Sequence, residues 1–315
     1  MNCKGSKPNS CRGAIYCALD AMEGAMNRAP TVLVVLLLFV STIFADEFLI
    51  SDPNAAFVLV STQSGEVLGE TRREVLEKQY PPGSLIKVFT TIAFYQQYGD
   101  HFPVYQCPAT LSSDPVGCWD RNGHGEVGIT DALAHSCNVY FRQIAQKISP
   151  EIFQQTLQKF QLSKGFYSRN EEDIRKIMTG NTLEWTVSPM LLLRAYCSIF
   201  NGGYLYPMPG HSTGTVALDR KIQQILQQGL AESTENGTSI EARRISGRPL
   251  IGKTGTSLMW EEGKINWRST QGWWIGLYPA QKPEIAVLTF VAGGRGATHA
   301  APLGGKVIAW FLQSR

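Results

Sequence analysis

No Cys-x-x-Cys pair occurs among the seven cysteines, which removes the zinc-ribbon and thioredoxin patterns. Internal repeats and low-complexity tracts are absent too. Neither sign of charge dominates. A formal charge of +3 with 17% charged residues is too small an excess to imply a nucleic-acid partner. Uninterrupted apolar runs are scarce. The longest, Val32 to Val40, falls short of the ~20 residues that a spanning helix needs. What remains is ordinary globular composition: 315 residues, 43% hydrophobic, enough for one large domain or one and a half with an ample core.

The first 45 residues read as a leader and not as fold. Arg28 precedes the Val32–Val40 run, and Ser41-Thr42-Ile43-Phe44-Ala45 follows it, as in a signal peptide cleaved after Ala45. An uncleaved membrane anchor over Ala29 to Ala45 is the alternative. The region before Met26 matches no leader type, so Met22 or Met26 is the expected start. Either way residues 46–315 are expected to be exported, where disulfides persist.

Along that part, Phe57–Val60 and Glu66–Leu68 flank a Gly-bearing turn and predict a hairpin. Helix is expected from Ser84 to about Tyr98, from Ile129 to about Ile148, over 151–178 interrupted by a charged loop at Ser168–Asp173, from Met190 to Phe200, over Lys221–Leu230 and over 302–313. Leu250–Thr256, Gly272–Leu277 and Ile285–Val291 read as strands. This order implies an α+β fold, an antiparallel sheet with helices packed on its faces. Cys107 and Cys118 bracket a Pro/Ser/Asp-rich loop; they either close a disulfide ring contributing on the order of 3 kcal/mol or stay free thiols. Cys118 and His124 make a metal pair at most. No further ligand follows at a usable spacing, so no zinc is expected.

The chemistry gathers at Pro82-Gly83-Ser84-Leu85-Ile86-Lys87. A turn runs directly into a helix whose first turn holds a serine, with a lysine three residues on and so on the same face. Unpaired N–H groups at a helix start suit a nucleophilic hydroxyl and the oxyanion formed when it attacks a carbonyl. Ile86, Val88 and Phe89 flank Lys87, a setting that can desolvate it into a neutral base. Two further short motifs follow: Ser136-Cys137-Asn138 and Lys253-Thr254-Gly255. Singly each is weak, since an SxxK is expected about once in such a chain. Ser168-Arg169-Asn170 also fits SxN, but lies in a charged segment without an apolar helix to anchor it. Gly247 to Thr254 fits the phosphate-binding GxxxxGK[ST] loop. It lacks the preceding buried strand and the following helix, and Leu250-Ile251 sits inside the supposed loop. His124, His135 and Gly293-Gly294-Arg295-Gly296 are expected to be structural.

Taken in order, SxxK, SxN and KTG are the signature of penicillin-binding proteins and class A β-lactamases. From about residue 55 onward the chain resembles the transpeptidase domain of class B penicillin-binding proteins. The most specific support is Pro82-Gly83-Ser84, Gly123-His124-Gly125-x-Val127 ahead of Ala132 to Phe141, Val187-Ser188-Pro189, Asn201-Gly202-Gly203-Tyr204 and Gly272-Trp273-Trp274-Ile275-Gly276. The resemblance implies a peptidoglycan D,D-transpeptidase acting on D-Ala-D-Ala stem peptides, covalently inhibited by β-lactams. It also implies a helical subdomain beside the sheet, no cofactor or metal, and a location in the periplasm or at the outer face of the cytoplasmic membrane. Ser84 would be the nucleophile and Lys87 its base, helped by the Lys253 ammonium. Ser136 would relay the proton, and Asn138 would hold a substrate amide close to Lys87. Lys253, Thr254 and Thr256 would take the substrate carboxylate, and Gly255 would let its backbone approach. The N–H groups of Ser84 and Thr256 would form the oxyanion hole. A D,D-carboxypeptidase, a serine β-lactamase or a β-lactam sensor uses the same fold; a non-catalytic scaffold is disfavoured by the complete polar set. The family's usual pedestal domain has little room between Ala45 and the first hairpin, which suggests a specialised, stand-alone role.

Overall fold

The computed structural model describes residues 52–109, 117–163, 170–180, 182–183, 185–261 and 264–315, without the side chains of 259–268. The leader over 1–45 and Ser168 lie outside the described residues. Five strands form one antiparallel sheet in the order β2-β1-β9-β8-β7: β1 (Ala55–Ser61), β2 (Val67–Thr71), β7 (Ile251–Glu261), β8 (Lys264–Tyr278) and β9 (Ile285–Ala292). The three strands read from the sequence are all present, two of them much longer than expected. Two small ribbons were not foreseen, β3 (Tyr105–Cys107) with β4 (Gly125–Val127) and β5 (Tyr204–Leu205) with β6 (Gly214–Thr215).

Apart from Ser61 and Thr289, β1 and β9 are apolar at consecutive and not alternate positions, because both faces of the sheet are covered. Phe57, Leu59, Val287 and Trp274 pack with Val307, Ile308 and Phe311 of the C-terminal helix α10 (Ala301–Gln313) and with Ala242 of α9 (Ile240–Ser246). Val58, Val60, Leu288, Phe290 and Trp273 turn to the opposite face and join a much larger core. That second face carries α2 (Lys87–Tyr98), buried from Lys87 to Phe94 and therefore a central helix. Beyond it lie α3 (Ile129–Ala134), α4 (Asn138–Ala145), α5 (Pro150–Lys159), α6 (Glu171–Thr179), α7 (Pro189–Phe200) and α8 (Arg220–Glu235). A four-residue α1 (Arg73–Leu76) follows β2. Helices on both faces with a helical region beyond one of them is the expected architecture.

Two helical expectations need correction. The 151–178 stretch is two helices, and the charged residues 171–173 open α6 behind an Asn170 cap (Asn170 Oδ1 accepts from Asp173 N, 2.9 Å), so acidic groups sit at the positive end of the helix dipole. The 129–148 stretch also breaks in two. Ser136 stands in the left-handed region at φ 53°, and Cys137 N–H closes back on Ala132 O at 3.0 Å, a C-terminal motif usually built with glycine. Cys137 then caps α4, its Sγ accepting from Tyr140 N. With no Gly or Pro at the break, apolar periodicity alone reads straight through it.

Candidate active site

Ser84 sits in a 3-10 turn, Gly83–Ile86, that leads into α2. Two backbone segments press on this turn. On the β7 side, a Cβ at Gly83 (φ 57°) would lie 2.5 Å from Thr256 O, and a Cβ at Gly255 would lie 2.5 Å from Pro82 O. On the α6 side, a Cβ at Gly180 (φ 77°) would lie 2.4 Å from Gly83 O and 2.9 Å from Ser84 N. Glycine is therefore required at all three positions for the chain to close on itself. The space that Gly255 leaves is taken by the chain's own Pro82–Leu85 turn, not kept for a substrate backbone. Ser257 Oγ and Gln271 Nε2 both donate to Pro81 O (2.8 and 3.2 Å), and Tyr196 OH donates to Leu85 O at 2.6 Å, fixing the turn from both ends.

Lys87, one turn on, is fully buried. Its Nζ donates to Ser136 O at 2.8 Å and to Asn138 Oδ1 at 2.7 Å, with Ser136 Oγ at 3.3 Å. The break between α3 and α4 is what presents all three acceptors at one point. Burial pulls the Lys87 ammonium down to about 7. A neutral amine here keeps two N–H donors for the two carbonyl oxygens and frees its lone pair for a hydroxyl, as a general base requires.

Lys253 is also fully buried, on the sheet face that carries α2, and it donates to Thr254 O at 3.2 Å. Its ammonium is held well below the ordinary lysine range, first by burial and second by the charge on Lys87. Burial, not the Lys253 charge, is thus the main cause at Lys87; the repulsion between the two is felt at Lys253. Because β7 is the sheet edge, Thr254 to Thr256 pair with β8 on one side and border the Ser84 turn on the other. Thr256 is exposed, and its Oγ1 accepts from Gly296 N at 2.9 Å. Thr254 is buried, its hydroxyl 2.7 Å from that of Thr238. Ser84, Lys87, Ser136, Asn138, Lys253, Thr254, Gly255 and Thr256 all gather at this junction. Thr238 and Gly180 belong to it as well and escaped notice in the sequence, and so does Gly296, expected only as part of a structural turn. Only the C-cap position of Gly180, after α6, carried a local signal.

The sequence profile of the penicillin binding protein transpeptidase domain matches residues 55–309. The chain belongs to this family. Among curated relatives, this transpeptidase-domain protein is 26% identical over 294 residues to peptidoglycan D,D-transpeptidase MrdA of Acinetobacter baumannii, a match covering 75% of this chain and 43% of that protein. It is 22% identical to stage V sporulation protein D of Bacillus subtilis, covering 73% and 41%. The chain therefore spans about two-fifths of the length of these relatives. In structure it is similar to the transpeptidase domain of Burkholderia pseudomallei penicillin-binding protein 3 (TM-score 0.70, 20% identity, 88% of this chain and 92% of that one) and to Pseudomonas aeruginosa PBP2 (TM-score 0.71, 17% identity, 85% and 76%).

Beside Asn138 a cleft of about 790 Å³ opens between α4 and α6, lined by Arg142, Glu171, Arg175, Lys176 and Thr179. Behind the SxN segment, Cys107, Cys118 and Cys137 are free thiols, which answers the disulfide question at Cys107 and Cys118. With His124 they form a four-membered cluster. The expectation that Cys118 and His124 find no further ligand fails. The missing two come from the end of β3 and from the middle of the SxN motif, brought in by the fold.

Proposed function

We propose that this protein is a serine D,D-transpeptidase acting on D-Ala-D-Ala stem peptides of peptidoglycan, at the outer face of the cytoplasmic membrane or in the periplasm. One observation carries the reading. A hydroxyl at a helix start, a buried lysine bonded to both polar groups of the SxN segment, and a lysine-bearing sheet edge converge on one junction.

In the first step Lys87 takes the Ser84 proton and Ser84 Oγ adds to the penultimate D-Ala carbonyl. The oxyanion points at the N–H groups of Ser84 and Thr256. The terminal carboxylate lies near Lys253, where it restores the positive charge that burial disfavours. The amide bond then breaks and the departing amine receives the proton through Ser136. An amine from a second stem peptide attacks the acyl-serine and regenerates the hydroxyl. Water in place of that amine makes the enzyme a D,D-carboxypeptidase. A β-lactam enters by the same first step and its ring opens without losing a leaving group.

Fluorescent penicillin tests this. Wild type is expected to take a label stable for hours, and Ser84→Ala none. Label that washes out within minutes indicates a β-lactamase, and the absence of label in wild type removes the assignment. Incubation with a D-Ala-D-Ala peptide and an acceptor amine separates transpeptidation from hydrolysis by the mass of the product.

A further inference from the structure

The cleft between α4 and α6 takes no part in the steps above, although it begins at Asn138. One wall is a face of α4. Asn138 and Arg142 stand four residues apart, about one turn of helix, and so point the same way. The opposite wall is the face of α6 that carries Glu171, Glu172, Arg175 and Lys176. Those four charges are matched in pairs. Arg175 Nη2 lies 3.3 Å from Glu171 Oε2, and Lys176 Nζ lies 2.9 Å from Glu172 Oε1. Arg175 Nη1 also donates to Ala145 O at 2.6 Å, which ties α6 to the last turn of α4 and fixes the spacing of the walls.

Arg142 is the exception. It is half-buried and forms no ion pair among the described residues. Its side chain's one hydrogen bond among them runs from Nη2 to a neutral acceptor, Gly117 O, at 3.1 Å. The other guanidinium N–H groups, in a fork that suits a carboxylate, are left for the cleft. Burial is the main cause of the lowered Lys87 ammonium, and the Arg142 charge adds to it, so guanidinium and base share one electrostatic field. At about 790 Å³ the cleft is the size of a small-ligand site.

We infer that Arg142 binds a carboxylate at the end of the side chain that precedes D-Ala-D-Ala in the donor stem peptide, and so selects acidic stems over amidated or amine-ended ones. The inference rests on the proposed function. With the backbone amide of that residue held at Asn138, its side chain enters the cleft. Arg142 lies roughly 6 Å farther along α4, at about 1.5 Å per residue, a distance that a lysine-length side chain covers. An ammonium in the same place meets the Arg142 charge and finds Glu171 and Glu172 already paired. Glutamine at 142 can still donate to Gly117 O. Arg142→Gln therefore removes the charge and spares the contact that a purely structural role needs.

Three probes test this: Nα-acetyl-L-2-aminopimelyl-D-Ala-D-Ala, its side-chain amide, and Nα-acetyl-L-lysyl-D-Ala-D-Ala. Each is titrated by calorimetry into the full chain carrying Ser84→Ala, which cannot be acylated. The carboxylate probe is expected to bind about 10-fold tighter than the amide, or more, as a charge-assisted pair usually provides, with the lysyl probe weakest. Arg142→Gln is expected to bring the carboxylate and amide probes within about threefold of each other. Arg142→Lys, a point charge without the fork, is expected to keep part of the preference. Lys159→Gln, on α5 outside the cleft, is expected to keep all of it. Should Arg142→Gln misfold, the loss of preference with Arg142→Lys decides. Equal affinity for the carboxylate and amide probes, or a preference that survives Arg142→Gln, overturns the assignment. Fluorescent penicillin on the wild-type chain separates the two readings. Stable label without a carboxylate preference removes the Arg142 site and leaves the transpeptidase. A carboxylate preference in a chain that never labels overturns the transpeptidase reading and keeps the Arg142 site. Absence of label with no probe bound removes both.

Discussion

The two faces of the sheet are built on opposite terms. On the α10 face, the Trp274 indole fills a groove floored by glycines. A Cβ at Gly304 would lie 2.0 Å from its ring, one at Gly276 1.9 Å and one at Gly252 2.8 Å. The neighbours are Phe57, Leu59, Val287 and Val307, and the buried Thr289 hydroxyl donates to Ala300 O at 2.7 Å. On the α2 face, Lys87, Lys253 and Arg194 are buried, with Ser136, Thr90, Thr91 and Thr254 among the buried hydroxyls, beside a larger apolar core. The first face shows what stability alone selects. The second accepts desolvated ammoniums, a left-handed serine and crowded backbones, as the proposed general base, which must be neutral and held still, would require.

The sharpest break of this contrast is expected at Lys87. Lys87→Ala is predicted to slow acylation by penicillin by about 10³-fold or more, the usual worth of a general base, without lowering thermal stability. Stopped-flow labelling with a melting curve reads both. A large loss of stability would mean that the lysine is a structural strut held by its three acceptors.

On the other face the reverse is expected. Trp274→Ala removes a buried indole and leaves a cavity between three glycines, at a cost of about 3–5 kcal/mol. In a domain of this size that lowers the melting temperature by roughly 2–4 °C per kcal/mol. The acylation constant of the folded fraction is predicted to stay within about twofold of wild type, and a tenfold drop would show that the faces are coupled.

The same contrast explains what could be read from the sequence. β1 and β9 of the apolar face, and the burial of α2, follow from runs of Val, Leu, Ile and Phe. Ser84 and Lys87 were legible because their relation is local, one turn of helix. The rest of the junction is made by approach between distant segments. Gly180 matters because its backbone meets Gly83, Thr238 because its hydroxyl meets Thr254, and Cys137 because three ligands from elsewhere surround it. Apart from the helix-ending position of Gly180, none of these has a periodic or local sequence signal. The cysteine spacing argued against a metal cluster because spacing measures contour length, and the β3–β4 ribbon folds that length back.

A smaller effect is expected at Lys253, with two readouts moving in opposite directions. Its buried ammonium donates to Thr254 O at 3.2 Å and feels the charge on Lys87. Lys253→Met keeps the stem and removes the penalty, so the melting curve is predicted to rise by roughly 1–3 kcal/mol equivalent while penicillin acylation falls. A destabilised variant would mean that the ammonium finds better compensation than its surroundings suggest.

The last and smallest effect is the pH dependence of Lys87. Burial lowers its ammonium to about 7 in the folded chain, from an ordinary 10.5. The base acts when neutral, so acylation should rise about tenfold per unit up to pH 7 and level off above it. Stability follows a different window. Between about 7 and 10.5 the unfolded chain binds the proton and the folded chain does not, so Lys87 makes stability rise with pH there, by up to about 1.4 kcal/mol per unit. Below 7 both states carry the proton and this contribution stops changing. The penalty for burying the charge is then fully present at acid pH and is relieved as pH rises. Lys87→Met has no such group, so its stability advantage over wild type should be constant below pH 7 and shrink above it. An advantage that instead grows with pH would reverse the sign of the shift and leave Lys87 an ammonium at neutral pH, unable to take the Ser84 proton.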